Sequence, residues 1–289
     1  MPNPLRRLLP ARFRKDGPVI PVVRLTGAIA AGGSALRPSL SIGSTAALLE
    51  RAFSVKSAPA VALVINSPGG SAVQSRLIHE RIRVLASEKD KQVLVFVEDV
   101  AASGGYMIAC AGDEIHADPS SIVGSIGVVM ASFGLTGLIE RIGVERRVHT
   151  AGENKFTLDP FQPERPQDIA HIDTMLAEIH EVFIALVKAR RGTKLADNPD
   201  LFSGQFWVGE TARKLGLVDG IGDIRSVLRA KFGEKVEMKL VSAPRSLLGR
   251  RSVVPGMAME QIGAGAVDAT LGLAEDQALW GRFGLSAPR

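Results

Sequence analysis

A serine hydroxyl at the joint of two apolar segments is the clearest candidate for chemistry in this sequence. Ser103 follows the strand-like run Val93–Val97 and precedes the small, apolar segment Gly104–Ala111, whose composition predicts a buried helix. The first amides of a helix have no partner within the helix and carry the positive end of its dipole, so they stabilise an anion. Gly104 and Gly105 would let a substrate backbone approach those amides, because neither has a Cβ. Ser103 is therefore a candidate nucleophile, and the alternative is that it only caps the helix.

A serine nucleophile needs a base that accepts its proton, usually histidine and sometimes an unprotonated lysine. Lys155 is the only lysine between Lys91 and Lys188, although arginines are frequent there. In the loop after a predicted strand, a buried Lys155 could act as a base near neutral pH, and a chance absence of other lysines is the alternative. Histidines also remain candidates. His79, His171 and His180 lie in predicted amphipathic helices and are interpreted as structural, whereas His116 and His149 lie in or beside predicted strands and stay open as bases.

Composition excludes several kinds of site. The single cysteine, Cys110, cannot form an intrachain disulfide or a cysteine-based zinc site, and no HExxH sequence indicates a metal, so we expect no cofactor. The 289 residues are 46% hydrophobic, which is enough for a full core. An aromatic content of 5% argues against a nucleic-acid partner.

A basic arm at residues 1–17 contributes much of the formal charge of +5. We expect this arm to contact an acidic membrane surface or a partner, and the alternative is a solvated terminus. No apolar segment of signal-peptide length follows it. We therefore expect a cytoplasmic protein, at most peripheral to the inner face of the membrane.

Alternating strands and helices place Ser103 at one edge of a parallel sheet. A central apolar strand, Ala60–Ile65, is followed by the turn Asn66–Gly70, an amphipathic helix and the strand before Ser103. This order predicts a parallel crossover unit, in which ligands bind at the carboxyl ends of the strands. Gly69, Gly70 and Ser103 should therefore converge.

The remaining pattern predicts further elements around this unit. They are strands at Val19–Leu25, Glu114–Ala117, Glu145–Thr150 and Val236–Val241, helices at Ser44–Phe53, Val73–Ala86, Gln167–Arg191 and Val208–Leu217, and a buried strand-loop-helix segment over Pro119–Ile139. We divide the chain into the arm 1–17, a catalytic domain 18–241 and a tail 242–289. The tail is interpreted as a linker with a weak helix that contains Ile262, Val267, Leu271, Trp280 and Phe283, and no chemistry is assigned to it.

Separate motifs in register over residues 19 to 241 resemble the signal peptide peptidase A family. They are Ile65–Gly70, Ala101–Tyr106, Gly124–Val128, the Lys155 loop and Gly209–Asp219. The resemblance implies an α/β fold of the Clp-protease/crotonase type, with repeated strand-strand-helix units and a largely parallel sheet. Two features differ from the common family pattern: Ser71 stands where a third glycine often follows, and the sequence contains no N-terminal transmembrane helix.

The same resemblance implies a role for each motif residue. Ser103 would be the nucleophile, Lys155 the general base and Ser125 the hydroxyl that orients the lysine. Gly70 would supply the main oxyanion amide, with Gly69 and Gly104 beside it. Neighbouring chains of a homo-oligomeric ring would complete each active site.

We therefore expect a serine endopeptidase that cleaves short or unfolded peptides, including signal-peptide remnants, at small or apolar residues. Two alternatives stay open. One is a crotonase-type acyl-CoA enzyme that uses Glu98 or Asp99 as acid/base. The other is a non-catalytic, membrane-associated scaffold, against which the intact Ser103, Ser125 and Lys155 argue.

Overall fold

A computed structural model describes residues 17–32, 39–242 and 276–287 of the chain. The strands are β1 (Val19–Thr26), β2 (Ala60–Ser67), β3 (Gln92–Ala102), β4 (Glu114–Ala117), β5 (Ile122–Gly124), β6 (Phe206–Val208), β7 (Gly220–Ile221) and β8 (Glu237–Leu240). The helices are α1 (Ile42–Phe53), α2 (Ala72–Lys89), α3 (Gly104–Ala109), α4 (Thr136–Arg141), α5 (Pro166–Arg191), α6 (Gly209–Lys214) and α7 (Ile224–Phe232), and residues 276–281 form a further helix.

These strands form one sheet with the order β6-β5-β3-β2-β1-β8, and β4 pairs with β3 and β7. The pairs are parallel except for the antiparallel pair β5–β6. Parallel strands need crossover connections, and α1 and α2 supply them between the first three strands. The predicted α/β fold with a largely parallel sheet is confirmed.

Both faces of the sheet are covered, which explains why β2 is a continuous apolar run rather than an alternating one. All eight residues of β2 are buried. Successive side chains of a strand point to opposite faces, so Val23 and Leu25 of β1 join one core cluster while Ile20 and Val22 join the other. Helices α1, α2 and α3 cover the first face, and Leu228 of α7 packs against the second.

The central strand β3 carries Ser103 to the carboxyl edge of the sheet. One side of β3 pairs with β2 from Gln92 onwards. Its other side pairs first with β4 through residues 94–97 and then with β5 through residues 100–102. Because β3 has paired neighbours on both sides up to Ala102, the position of the next residue is well fixed.

Two predictions for the middle of the chain are wrong. The predicted strand Glu145–Thr150 forms no strand: its residues pair with none of the described strands and are largely exposed, so nothing stabilises extended backbone there. The segment Pro119–Ile139 is buried only over residues 121–126 and becomes exposed from residue 129 onwards. Val129, Met130 and Phe133 are exposed, so this stretch leaves the core shortly after β5.

The long helix α5 has the predicted position but buries little of its apolar face. Phe183 and Val187 are buried in the main core, whereas Ile169 and Met175, nearer the start of the helix, are exposed. The N-terminal part of α5 therefore projects from the sheet together with residues 129–165.

The sheet elements lie within residues 19–240, and the division of the chain into arm, domain and tail stays a prediction. The arm up to residue 16 and the predicted tail-helix residues Ile262, Val267 and Leu271 lie outside the described residues. In the described ranges, none of the helices combines the length and the hydropathy that a membrane crossing requires.

Candidate active site

Ser103 has a strained backbone conformation directly after β3. Its φ is 51° and its ψ is −122°. In the described part of the chain only four non-glycine residues have a positive φ, and Ser103 and Ser125 are two of them. Such conformations cost about 1–3 kcal/mol each and persist where the surrounding structure enforces them, often at active sites. The Ser103 side chain makes no capping hydrogen bond with α3, so capping does not explain the residue.

The turn at Gly69 and Gly70 is packed against Ser103 so closely that only glycine fits. A Cβ on Gly69, whose φ is 101°, would lie 2.8 Å from the Ser103 Cβ. A Cβ on Gly70, whose φ is 137°, would overlap the Ile29 carbonyl oxygen. The Ile29 amide donates to the Gly69 carbonyl at 2.8 Å, and the Ser71 amide donates to the Ile29 carbonyl at 2.8 Å. These two bonds fix the turn on both sides of the Gly70 peptide.

The Gly70 amide is available to a ligand. No described residue accepts a hydrogen bond from it, although the amides of Gly69 and Ser71 on either side are both bonded. Gly104 opens α3, so its amide has no acceptor within the helix. A Cβ on Gly104 would overlap the Ser75 hydroxyl of α2, which explains why glycine is needed there. The Gly70 and Gly104 amides are therefore both unbonded within the described residues, and their role as oxyanion donors stays a prediction.

Ser103 opens onto a largely apolar cavity of about 340 Å³. Five separate parts of the chain form its wall: the Gly70 turn, Ser103 with α3, the stretch after β5, the middle of α5 and the C-terminal segment 276–287. The last of these contributes Leu279 and Arg282. The lining residues include Gly70, Ala72, Ser103, Gly104, Met107, Val128, Val129, Ile179, Phe183, Leu279 and Arg282.

Ser125 is held next to Ser103 through the backbone. The Ser103 amide donates to the Gly124 carbonyl at 2.8 Å, and the Ser125 amide donates to the Gln205 carbonyl at 2.7 Å. Ser125 is buried and has a φ of 54°. The carbonyl of the next residue, Ile126, accepts a hydrogen bond of 3.0 Å from Nε2 of His180 on α5. This histidine therefore positions the Gly124–Val128 motif.

The Gly209–Asp219 motif braces the fold and does not line the cavity. The Arg191 guanidinium at the end of α5 donates to both carboxyl oxygens of Asp219, at 2.8 and 3.2 Å, and Lys194 donates at 2.7 Å. Burial opposes ionisation of Asp219, but these hydrogen bonds outweigh it and lower the pKa of the carboxyl group. The motif thus joins the C-terminal end of α5 to Asp219, the residue directly before β7 of the sheet.

Lys155 lies apart from this group. It is exposed, in a turn where its amide donates to the Gly152 carbonyl at 3.2 Å, and it does not line the Ser103 cavity. The structure therefore shows no burial of Lys155 within its own chain, and its role as a base stays a prediction. The structure brings together Ser103, Gly69, Gly70 and Gly104, with Ser125 beside them, and leaves Lys155 on the projecting part of the chain.

The histidines that stayed open as bases are remote from the cavity lining. The ring of His116 stacks on Phe96 with the centroids 5.5 Å apart, and its Nε2 lies 3.2 Å from a Glu114 carboxyl oxygen. His149 is exposed on the irregular segment that follows α4. Neither side chain lines the Ser103 cavity.

The carboxylates of the acyl-CoA alternative are also occupied elsewhere. Glu98 forms an ion pair with Arg24, and Asp99 accepts a hydrogen bond of 2.6 Å from the Asn66 amide. Both carboxylates line a different cavity, which does not include Ser103. An acid/base pair opposite the Gly70 amide is therefore not formed by these residues.

Cys110 and Tyr106, the other reactive side chains of α3 and its end, are inert. Burial raises the pKa of the Cys110 thiol to about 12 and that of the Tyr106 hydroxyl well above its usual value. The Tyr106 hydroxyl donates to the Leu217 carbonyl at 2.8 Å. Ser103, directly before α3, therefore stays the candidate nucleophile.

Leu279 and Arg282 were not predicted as site residues. The sequence gives only a weak signal for them, because a stretch that contains several glycines separates them from the predicted catalytic domain. The signal that points to them is the neighbouring pair Trp280 and Phe283, large aromatic residues in a chain with 2 tryptophans and 11 phenylalanines. Buried aromatic anchors of this kind mark a segment that docks.

The sequence model of peptidase family S49 matches residues 86–237, more than half of the chain. The match includes Ser103, Ser125 and Lys155. The chain belongs to peptidase family S49. The resemblance to the signal peptide peptidase A family is thereby confirmed, and family S49 supports a hydrolase of the serine peptidase class.

Individual relatives differ in name and length. The chain is 61% identical over 292 residues to the Na(+)/H(+) antiporter NhaA of Brucella abortus (strain 2308), a match that covers 99% of this chain and 39% of that protein. It is 31% identical over 235 residues to the chloroplastic serine protease SPPA of Arabidopsis thaliana, which covers 78% of this chain and 34% of that protein. The chain thus spans little more than a third of either relative.

Among solved structures, the 1510-N membrane-bound stomatin-specific protease superposes with a TM-score of 0.48 at 17% identity. The superposition covers 78% of this chain and 99% of that one. The S49 assignment rests on the family match and on the Ser103 geometry. The antiporter name of the Brucella protein belongs to a protein of which this chain matches a minor part.

Proposed function

We propose that this S49 peptidase is a serine endopeptidase with a Ser/Lys dyad. Ser103 attacks the scissile carbonyl, and Lys155 accepts the hydroxyl proton and returns it to the leaving amine. The Gly70 amide stabilises the oxyanion of the tetrahedral intermediate. Water then releases the acyl group from Ser103. The observation that carries this proposal is the position of Ser103. Its backbone is strained, its side chain does not cap α3, and it lies at an apolar cavity that the unbonded Gly70 amide also lines.

The remaining site residues have supporting roles. Ser125, buried beside Ser103, orients the lysine amine by a hydrogen bond. Gly69 and Gly104 keep the backbone open to the substrate, since a Cβ at either position would meet neighbouring atoms. No metal or organic cofactor takes part in this scheme.

The cavity supports peptide substrates with small or apolar residues at the cleavage point. Its floor consists of side chains such as Met107, Ile179 and Phe183, which favour apolar groups by burial. A cavity of about 340 Å³ accepts one or two side chains, not a folded domain. Short or unfolded peptides, signal-peptide remnants included, fit this description.

We further propose that each active site is completed by a second copy of the chain in a homo-oligomeric ring. Lys155 is exposed and lies outside the cavity wall of its own chain. The projecting part that carries it displays large exposed apolar side chains, which favour association. They include Val129, Met130, Phe133, Leu138, Ile142 and Val144. A neighbour that covers them can bring its Lys155 to Ser103.

Peptide mapping after incubation with a denatured protein tests the catalytic assignment. We expect wild type to cut at small or apolar residues, and Ser103→Ala and Lys155→Ala each to lose nearly all cleavage because the two residues act as one unit. Lys214→Ala, which removes an exposed lysine of α6, is the matched control and should keep full activity. Activity that survives Lys155→Ala but is lost in His116→Ala or His149→Ala would refute the dyad.

Complementation tests the shared site. Ser103→Ala chains still offer Lys155, and Lys155→Ala chains still offer Ser103. Unfolding and refolding the two inactive variants together should restore part of the wild-type rate. Mixed oligomers that form and stay inactive would place both residues of a site in one chain.

A further inference from the structure

The C-terminal segment 276–287 folds back onto the catalytic edge of the sheet. Trp280 and Phe283 are buried against Val100 and Ala102 of β3, the strand that ends at Ser103. The Phe283 ring also makes an edge contact with Phe206 of β6, with the centroids 5.0 Å apart. The segment is therefore anchored by aromatic side chains next to the nucleophile.

This anchoring places one positive charge at the Ser103 cavity. Among the described residues that line this cavity, Arg282 alone carries a charge. Arg282 also lines an adjacent cavity of about 760 Å³, which shares Val129 and Leu279 with the first. Asp276 lines only that outer cavity. Arg282 thus lies at the boundary between the Ser103 cavity and the outer cavity.

We propose that Arg282 is a specificity-determining residue that binds a carboxylate of the peptide substrate. The inference rests on the proposed peptidase function and adds a charge preference to it. A guanidinium presents its donors in a fork that matches a carboxylate, and a neighbouring apolar wall strengthens the pair. The carboxylate is either an acidic side chain or the free C-terminus of the peptide.

The exposure of Arg282 limits the size of the effect. Its side chain is exposed, and an exposed ion pair contributes little, about fivefold in an equilibrium or rate ratio. The Glu-to-Gln ratio in kcat/KM is therefore the sensitive measurement, since it cancels the apolar contacts that both peptides share. High salt should reduce the ratio, because it screens an exposed pair.

The experiment uses fluorescence-quenched peptides in pairs that carry Glu or Gln at each position around the cleaved bond. A second set has a free or an amidated C-terminus. We expect wild type to favour the acidic peptide about fivefold in kcat/KM at one position or at the terminus. Arg282→Gln should bring that ratio close to one and Arg282→Lys should keep part of it, whatever the rate at which either variant cleaves the neutral peptides. Arg225→Gln removes an exposed arginine of α7 and should behave as wild type.

The outcomes separate this inference from the proposed function. A wild-type enzyme without any acidic preference, or a preference that survives Arg282→Gln, overturns the role of Arg282 while peptide hydrolysis stands. If wild type cleaves no peptide, the proposed function fails. Peptide binding to Ser103→Ala, measured by fluorescence anisotropy, then still tests the role of Arg282. Tighter binding of the acidic than of the neutral peptide, lost in Ser103→Ala/Arg282→Gln, supports that role. Equal binding of the acidic and the neutral peptide to Ser103→Ala refutes it.

Discussion

Acid should destabilise the fold through one buried histidine, His79 of α2. Burial, reinforced by the positive charges of Arg190 and Arg83, lowers its pKa from the ordinary 6.5 to about 4. The unfolded chain therefore binds a proton at higher pH than the folded chain does. The stability that His79 contributes is fully present above pH 6.5 and falls as the pH drops toward 4.

The size of this effect follows from the shift. A difference of 2.5 pKa units corresponds to about 3 kcal/mol of unfolding free energy, lost at about 1.4 kcal/mol per pH unit between pH 6.5 and 4. Urea unfolding at half-unit pH intervals measures the slope. His79→Gln should flatten the slope whatever its effect at neutral pH, and His171→Gln, at an exposed histidine of α5, should leave it unchanged. A wild-type slope that persists in His79→Gln would refute the assignment.

Two further predictions concern residues on either side of Ser103. Cys110 should resist thiol reagents at pH 8 in the folded protein, because its raised pKa leaves about one thiol in ten thousand ionised. It should react at once in guanidinium, and fast labelling of the folded chain would contradict its burial. Gly70→Ala should abolish peptide cleavage by displacing the oxyanion turn, whereas Gly137→Ala, where a Cβ has open space, should not; cleavage that survives Gly70→Ala would remove Gly70 from the mechanism.

The core of the fold was predictable because its sequence signals are local. Apolar runs and glycine turns gave β2, β3 and the position of Ser103, and β4 has the predicted bounds Glu114–Ala117. These segments are buried on both faces of the sheet, so hydrophobicity alone specifies them. The convergence of Gly70 with Ser103 followed from the parallel crossover.

The remainder depends on contacts that the sequence does not display. Residues 145–150 have a strand-like composition, but they pair with none of the described strands and are largely exposed, so neither pairing nor burial stabilises a strand there. Arg282 reaches the cavity only because Trp280 and Phe283 dock on β3, a contact across nearly 180 residues. Lys155 is exposed in one chain, and the sequence alone does not show which surface of a neighbouring copy would cover it.

Active-site labelling tests the central claim most directly. A fluorophosphonate probe followed by peptide mapping should place one adduct on Ser103 of wild type. Lys155→Ala should lose the adduct, because the hydroxyl then lacks its base, while Lys214→Ala should keep it. An adduct on another residue, or undiminished labelling of Ser103 in Lys155→Ala, would contradict the Ser/Lys peptidase.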